Sequence, residues 1–173
     1  MLRAMYPGTF DPPTNGHLDI INRGARMFDE LEIVIAINPE KKTFFSPDER
    51  FSIMKQLVEG LPNVRVHRWE GLVVEMAERL GARIMLRGVR ALSDFNYEFE
   101  LSTMNRALNP RIETVFLPTD QKYFVLRSSG IKEVARLGGD ISQMVPPLVE
   151  QALRAKLGAR PQAGDLDKGE PVR

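Results

Sequence analysis

The chain has only two histidines, and one of them, His17, closes the run PGTFDPPTNGH at residues 7–17. An imidazole at the mouth of a helix can donate a hydrogen bond to a developing negative charge. Gly8 and Gly16 in the same run leave room for a phosphate to approach the backbone. Further along come Asn38, Lys41 and Lys42, then Arg87, Gly88 and Arg90, then Thr119, Asp120, Lys122 and the run RSSG at 127–130. Cationic side chains combined with helix N-termini suit a ligand that carries several phosphates. An arginine such as Arg87, directly ending an apolar strand, is partly buried there and needs an anionic partner.

Other chemistries are disfavoured. With no cysteine, disulfides, thiolate metal sites and thiol nucleophiles are excluded, and a reducing compartment is expected. The chain lacks GxxxxGK[ST], lacks GxGxxG after its first strand and lacks GxSxG. A P-loop NTPase, an ordinary NAD enzyme and a serine hydrolase are therefore not expected. Two histidines make a histidine-rich zinc site a poor reading. His67 sits in a strand with no motif around it and receives no role.

These residues need elements to bring them together. LRAMY (2–6) reads as a buried strand stopped by Pro7-Gly8, and Leu18, Ile21, Ala25 and Phe28 recur at helical spacing behind a Thr14 or Asn15 N-cap. LEIVIAIN (31–38) is a branched run typical of a strand covered on both faces. Residues 46–60 carry an N-cap at Ser46, Pro47 at the first helical position, Glu49 completing a capping box, and Gly60 as the closing residue. NVRVH (63–67), ARIMLRG (82–88) and ETVFL (113–117) read as strands. Helices are expected over 71–81, with Leu72, Val73, Met76, Ala77 and Leu80 inward, over 94–108, from near Ser129 to Gly138-Gly139, and from about Pro146 to Leu157. Met76 and Met104 fit either a subunit interface or the core, with the core as the default. This alternation predicts an α/β, Rossmann-like, doubly wound five-stranded parallel sheet with helices on both faces. Ligands then bind beyond the carboxyl ends of the strands, where the polar residues above fall.

The 173 residues suffice for one domain. We expect it to span 1–159, with 160–173 (RPQAGDLDKGEPVR) as a disordered tail. Lys and Arg number 24 against 23 Asp and Glu, a formal charge of +1, so the balance gives no general argument for nucleic acid or a membrane. No apolar run approaches the roughly 20 residues of a membrane span.

TNGH (14–17) fits the [HT]xGH signature of the nucleotidyltransferase superfamily, and SSGIKE (128–133) is similar to its ISSTxxR signature. With YPGTFDPPTNGH, RGVRALSDFNYE (87–98), MNR (104–106) and KEVA (132–135), the chain resembles the bacterial phosphopantetheine adenylyltransferase family over about residues 2–157. The resemblance implies transfer of the adenylyl group of ATP to 4'-phosphopantetheine, with Mg²⁺, in a cytoplasmic homohexamer. It implies that His17 contacts the α-phosphate and stabilises the transition state, that Thr9, beside Phe10, touches the phosphates of both substrates, and that Lys41 and Arg87 hold the acceptor phosphate. It places Val73 at the pantetheine arm, and Gly88, Val89, Arg90 and Glu98 at ATP. Tyr123, Phe124, Val125, Leu126, Arg127, Ser128 and Ser129 would cover the adenine and outer phosphates. The chain departs from the family at one point: Leu126-Arg127 stands where an Ile-Ser pair is usual. Other readings of the same signatures are a superfamily member with a different phosphate acceptor and a non-catalytic nucleotide-binding module.

Overall fold

The computed structural model describes residues 1–123 and 127–158. Its strands are β1 (Arg3–Gly8), β2 (Glu30–Ile37), β3 (Val64–Glu70), β4 (Ile84–Val89) and β5 (Glu113–Pro118). They form one five-stranded sheet in the order β3-β2-β1-β4-β5, parallel at every pairing. The helices are α1 (Asn15–Met27), α2 (Pro47–Leu57), α3 (Val73–Leu80), α4 (Leu92–Leu108), α5 (Ser128–Arg136) and α6 (Pro147–Leu157). The expected doubly wound α/β sheet is what the chain forms.

Alternation along the strands divides the core between the two faces. Ala4, Tyr6, Leu31, Ile33 and Ile35 pack with Ile20 and Ile21 of α1 and Met54 of α2. Met5, Val34 and Met85 pack on the opposite face with Val74, Met76 and Ala77 of α3. A third cluster joins Ile131 and Ala135 of α5 to Val149 and Leu153 of α6 and to Phe45 and Ile53. It fixes where the N-terminus of α5 sits.

The order of strands reverses between β1 and β4, so the carboxyl ends of these two strands splay apart and open a crevice. Local sequence sets how the chain leaves it. Thr14 is the N-cap of α1. Ser46 and Glu49 form the expected capping box at α2, with Pro47 in its first turn.

Three expectations are corrected. Gly60 does not close α2, which ends at Leu57 with Val58 as its C-cap. Leu72 is exposed and precedes α3, while Val74 is buried in its place. Met104 is 54% exposed, on a helix whose Leu92, Tyr97, Phe99 and Leu108 are also exposed. Apolar residues spread all round α4 give it no single inward stripe, and none of those described is buried. Residues 160–173, read as a tail, lie outside the described residues. Among those described, no helix is long and apolar enough to cross a membrane.

Candidate active site

The crevice holds a cavity of about 480 Å³. Thr9, Phe10, His17, Lys41, Arg87, Gly88, Arg90, Glu98, Arg127, Ser128 and Ser129 all reach it, as the sequence reading expected. A second cavity of about 400 Å³ is lined by Val73, Met85, Tyr97 and Leu101 and shares Thr9, Lys41, Arg87 and Glu98 with the first. Val89 and Tyr123 line neither. The carbonyl of Val89 accepts from the backbone of Thr119, and Tyr123 packs against the α5–α6 cluster. Lys122 is also outside the cavity, its ammonium lying over the Tyr123 ring. Phe124, Val125 and Leu126 lie outside the described residues.

His17 is held from both ends of its own turn. Its backbone N–H donates to Oγ1 of Thr14 at 3.3 Å, and the Thr14 N–H donates to its Nδ1 at 3.0 Å. This is a capping box with histidine in the usual glutamate position. Because Nδ1 accepts, the ring proton belongs on Nε2. Burial, then the charges of Arg90 and Arg87, pulls the imidazole pKa down to about 4. His17 is therefore a neutral Nε2–H donor at neutral pH. The sequence left its charge open because the helix end and the phosphates pull in opposite directions; burial decides it, with the charges of Arg90 and Arg87 adding to the same side.

The Phe10 ring lies edge-on between Tyr6 and His17, at centroid distances of 5.4 and 5.0 Å. Phe10 itself adopts φ 48°, a left-handed conformation that bulky non-glycine residues seldom adopt. Gly8 has a packing role beyond openness to phosphate: a Cβ there would meet the Phe10 ring at 2.8 Å. At Gly88 a Cβ would approach Ile20 to 3.0 Å.

Arg87 has the anionic partner its burial called for, and that partner is Glu98. Nε and Nη2 donate to the carboxylate at 2.6 and 2.7 Å, and Nη1 donates to the carbonyl of Pro7 at 2.7 Å. A guanidinium has five N–H groups, so one on each Nη stays available while the plane is locked. Across from it, Nζ of Lys41 lies 3.4 Å from Oγ1 of Thr9.

The sequence reading missed Asp11, Lys132 and Arg50. Asp11 is 6% exposed and accepts from the backbone N–H groups of Phe44 and Phe45, both at 2.8 Å, and from Nζ of Lys132 at 2.7 Å. Burial pushes its carboxyl pKa up, but the hydrogen bonds from Lys132, Phe45 and Phe44 outweigh that and hold it below the usual range. Asp11 thus ties the loop after β1 to the loop before α2 and to α5. Lys132 lines the cavity, and a signal for it existed: it stands at the basic position that ends the ISSTxxR pattern. Arg50, 1% exposed, donates to the carbonyls of Thr9 at 2.7 Å and Ala36 at 3.3 Å and pins the same loop from below. Nothing in its local sequence marked it.

A cation-lined crevice at the switch point of a parallel sheet, with a neutral histidine donor in TNGH, is a site for nucleotide phosphate chemistry. The family described as cytidylyltransferase-like matches residues 5–134, which makes this chain a nucleotidyltransferase-type enzyme. Its relatives narrow the class. A phosphopantetheine adenylyltransferase of Desulforudis audaxviator is 49% identical over 157 residues, covering 91% of this chain and 96% of that one. Those of Desulfosudis oleivorans and Syntrophotalea carbinolica are each 50% identical, covering 90% and 92% of this chain and 92% and 96% of theirs. The chain belongs to the phosphopantetheine adenylyltransferase family. A crystal structure from Vibrio parahaemolyticus, provisionally described as a nicotinate-nucleotide adenylyltransferase, superposes with a TM-score of 0.66 over 91% of this chain and 95% of that one. At 21% identity it speaks for the fold alone.

Proposed function

We propose that this chain transfers the adenylyl group of ATP to 4'-phosphopantetheine, giving dephospho-coenzyme A and pyrophosphate in coenzyme A biosynthesis. The observation that carries the reading is the pair of cavities meeting at Thr9, Lys41, Arg87 and Glu98. One is polar and cationic, as a triphosphate requires. The other mixes Val73, Met85 and Leu101 with Ser102, Asn105 and Thr114, as an amide-bearing aliphatic arm requires. The shared residues lie where the two substrates' phosphates would meet.

In this reading a phosphate oxygen of phosphopantetheine attacks the α-phosphorus of ATP. A P–O–P bond forms to the acceptor, the α–β bridge bond breaks, and pyrophosphate leaves with the electron pair. The enzyme supplies no nucleophile. Its task is to hold two anions in line and to stabilise the extra charge. Lys41 and the free N–H groups of Arg87 gather the attacking phosphate, with Thr9 between the substrates. His17 donates from Nε2 to the α-phosphoryl oxygens. Arg90, Ser128, Ser129 and Lys132 face the outer phosphates. Gly88, near the carboxyl end of β4, lies under the nucleotide, and Glu98 acts there by holding Arg87.

Among the described residues no three His, Cys, Asp or Glu side chains gather to hold a metal. Mg²⁺ would arrive on the ATP phosphates, keep most of its waters and neutralise phosphate charge there. Subunit contact, as a homohexamer would provide, would cover the exposed Leu92, Tyr97, Phe99, Met104 and Leu108 of α4. A cytoplasmic setting agrees with the cysteine-free sequence, and a net charge of +1 offers no broad field for nucleic acid.

Pyrophosphate release measured with ATP and a panel of acceptors tests the reading. Turnover with 4'-phosphopantetheine should exceed that with nicotinate mononucleotide by orders of magnitude. Equal or better turnover with nicotinate mononucleotide refutes it, and ATP binding without transfer to any acceptor would favour the non-catalytic module.

A further inference from the structure

The departure at Arg127 has a partner in the structure. Arg127 is the residue before α5, where a serine would cap the helix, and it makes no side-chain cap. Its Nη2 lies 3.7 Å from Oδ1 of Asp94, in the first turn of α4. The other oxygen of that carboxylate, Oδ2, accepts from Nε of Arg90 at 2.9 Å. One carboxylate thus bridges an arginine from the β4 side of the cavity to an arginine from the α5 side, and all three residues line the cavity.

The two halves of this bridge are unequal. Arg90 and Asp94 are 25% and 22% exposed and closely bonded, whereas Arg127 is 63% exposed and only loosely paired. An exposed ion pair at such a distance contributes little, while a guanidinium on a polyphosphate makes short, charge-assisted, often bidentate bonds. The helix end beside it is open. The first intrahelical backbone bond of α5 runs from Ile131 to the Arg127 carbonyl, which leaves the N–H groups of Ser128 and Ser129 without helix acceptors. The Ser128 hydroxyl is itself committed to the carbonyl of Pro12 at 3.0 Å.

We propose that Asp94 is a stand-in for a phosphate and that Arg127 exchanges it for the outer phosphates of ATP. Arg127 replaces the hydroxyl that the family's serine would supply with a full positive charge on a longer arm. Arg90 stays on Asp94 and keeps the α4 side of the mouth fixed. The proposal rests on the reading above, that the outer phosphates lie at the N-terminus of α5.

Two variants and two substrates test it. Arg127→Ser restores the family's residue and Asp94→Asn removes the competing charge. Binding of inorganic pyrophosphate to the full chain is read by calorimetry, and KM for ATP and for phosphopantetheine by steady-state kinetics. R127S should weaken pyrophosphate and raise KM for ATP by about tenfold, the loss of one charge-assisted hydrogen bond, with KM for phosphopantetheine unchanged. D94N should tighten pyrophosphate. Unchanged pyrophosphate affinity in R127S, or weakened affinity in D94N, overturns the proposal. Failure of the underlying reading looks different: the unaltered chain would then release no pyrophosphate with phosphopantetheine.

Discussion

Replacing Asp11 by asparagine keeps the size of the side chain and removes its charge. In the native protein its two oxygens serve two backbone N–H groups and the ammonium of Lys132, at 2.7–2.8 Å. Asparagine can accept only through its carbonyl oxygen, so its NH₂ must face one of these donors and leave that group unpaired. Removing one partner of a buried ion pair costs about 3–5 kcal/mol. Lys132 is 18% exposed and can turn toward the cavity, which puts the expected loss at the lower end, about 3 kcal/mol. For a chain of this size that lowers Tm by about 6–12 °C. The assay is urea unfolding of both proteins across pH. Because the Asp11 carboxyl pKa is lowered in the folded state, its contribution is fully present above the ordinary carboxylate value of about 4. It fades as pH falls through the lower native value. The gap between the proteins should therefore be full at pH 7 and shrink below about pH 4. A gap under about 0.5 kcal/mol at pH 7, or one that grows in acid, would show that the Asp11 charge does not hold these loops together.

His17→Ala should lower kcat by about 10²–10³, the usual cost of losing one transition-state donor, while ATP binding falls far less; kinetics and calorimetry together decide. His17 also predicts a stability slope. Its pKa drops from 6.5 to about 4 on folding, so between those values the unfolded chain binds a proton that the native chain refuses, and stability declines as pH falls. His17→Gln should flatten that slope in chemical unfolding. Val73→Asp, at the first turn of α3 where an acid is tolerated, should raise KM for phosphopantetheine at least about tenfold by placing a charge against the apolar arm, with KM for ATP little changed.

Much of this was legible because it is local. The capping box at Ser46–Glu49 and the Thr14 cap are decided within four residues. The strands announce themselves as apolar runs between turn residues, and alternation with helices sets a parallel sheet. The sheet then carries Thr9, His17, Lys41, Arg87 and Arg90 to one end, so the site follows from order alone. What stayed hidden is what folding creates. Asp11 meets Lys132 across 121 positions, and neither residue's neighbourhood reveals the other. Arg87 was read as needing an anion, but only the packing of α4 on β4 shows that Glu98 supplies it. Val73 lines the second cavity, whereas the outward turn of Leu72 beside it depends on where α3 begins, a one-residue matter that periodicity does not resolve.

In the proposed reaction the acceptor's own phosphate attacks ATP in this crevice. Phosphopantetheine labelled with ¹⁸O in its phosphate, turned over with ATP and Mg²⁺, tests it most directly by mass spectrometry of both products. Equimolar dephospho-coenzyme A and pyrophosphate are expected, with all the label in the former and none in the latter. Label in pyrophosphate, or AMP formed in place of dephospho-coenzyme A, would contradict it.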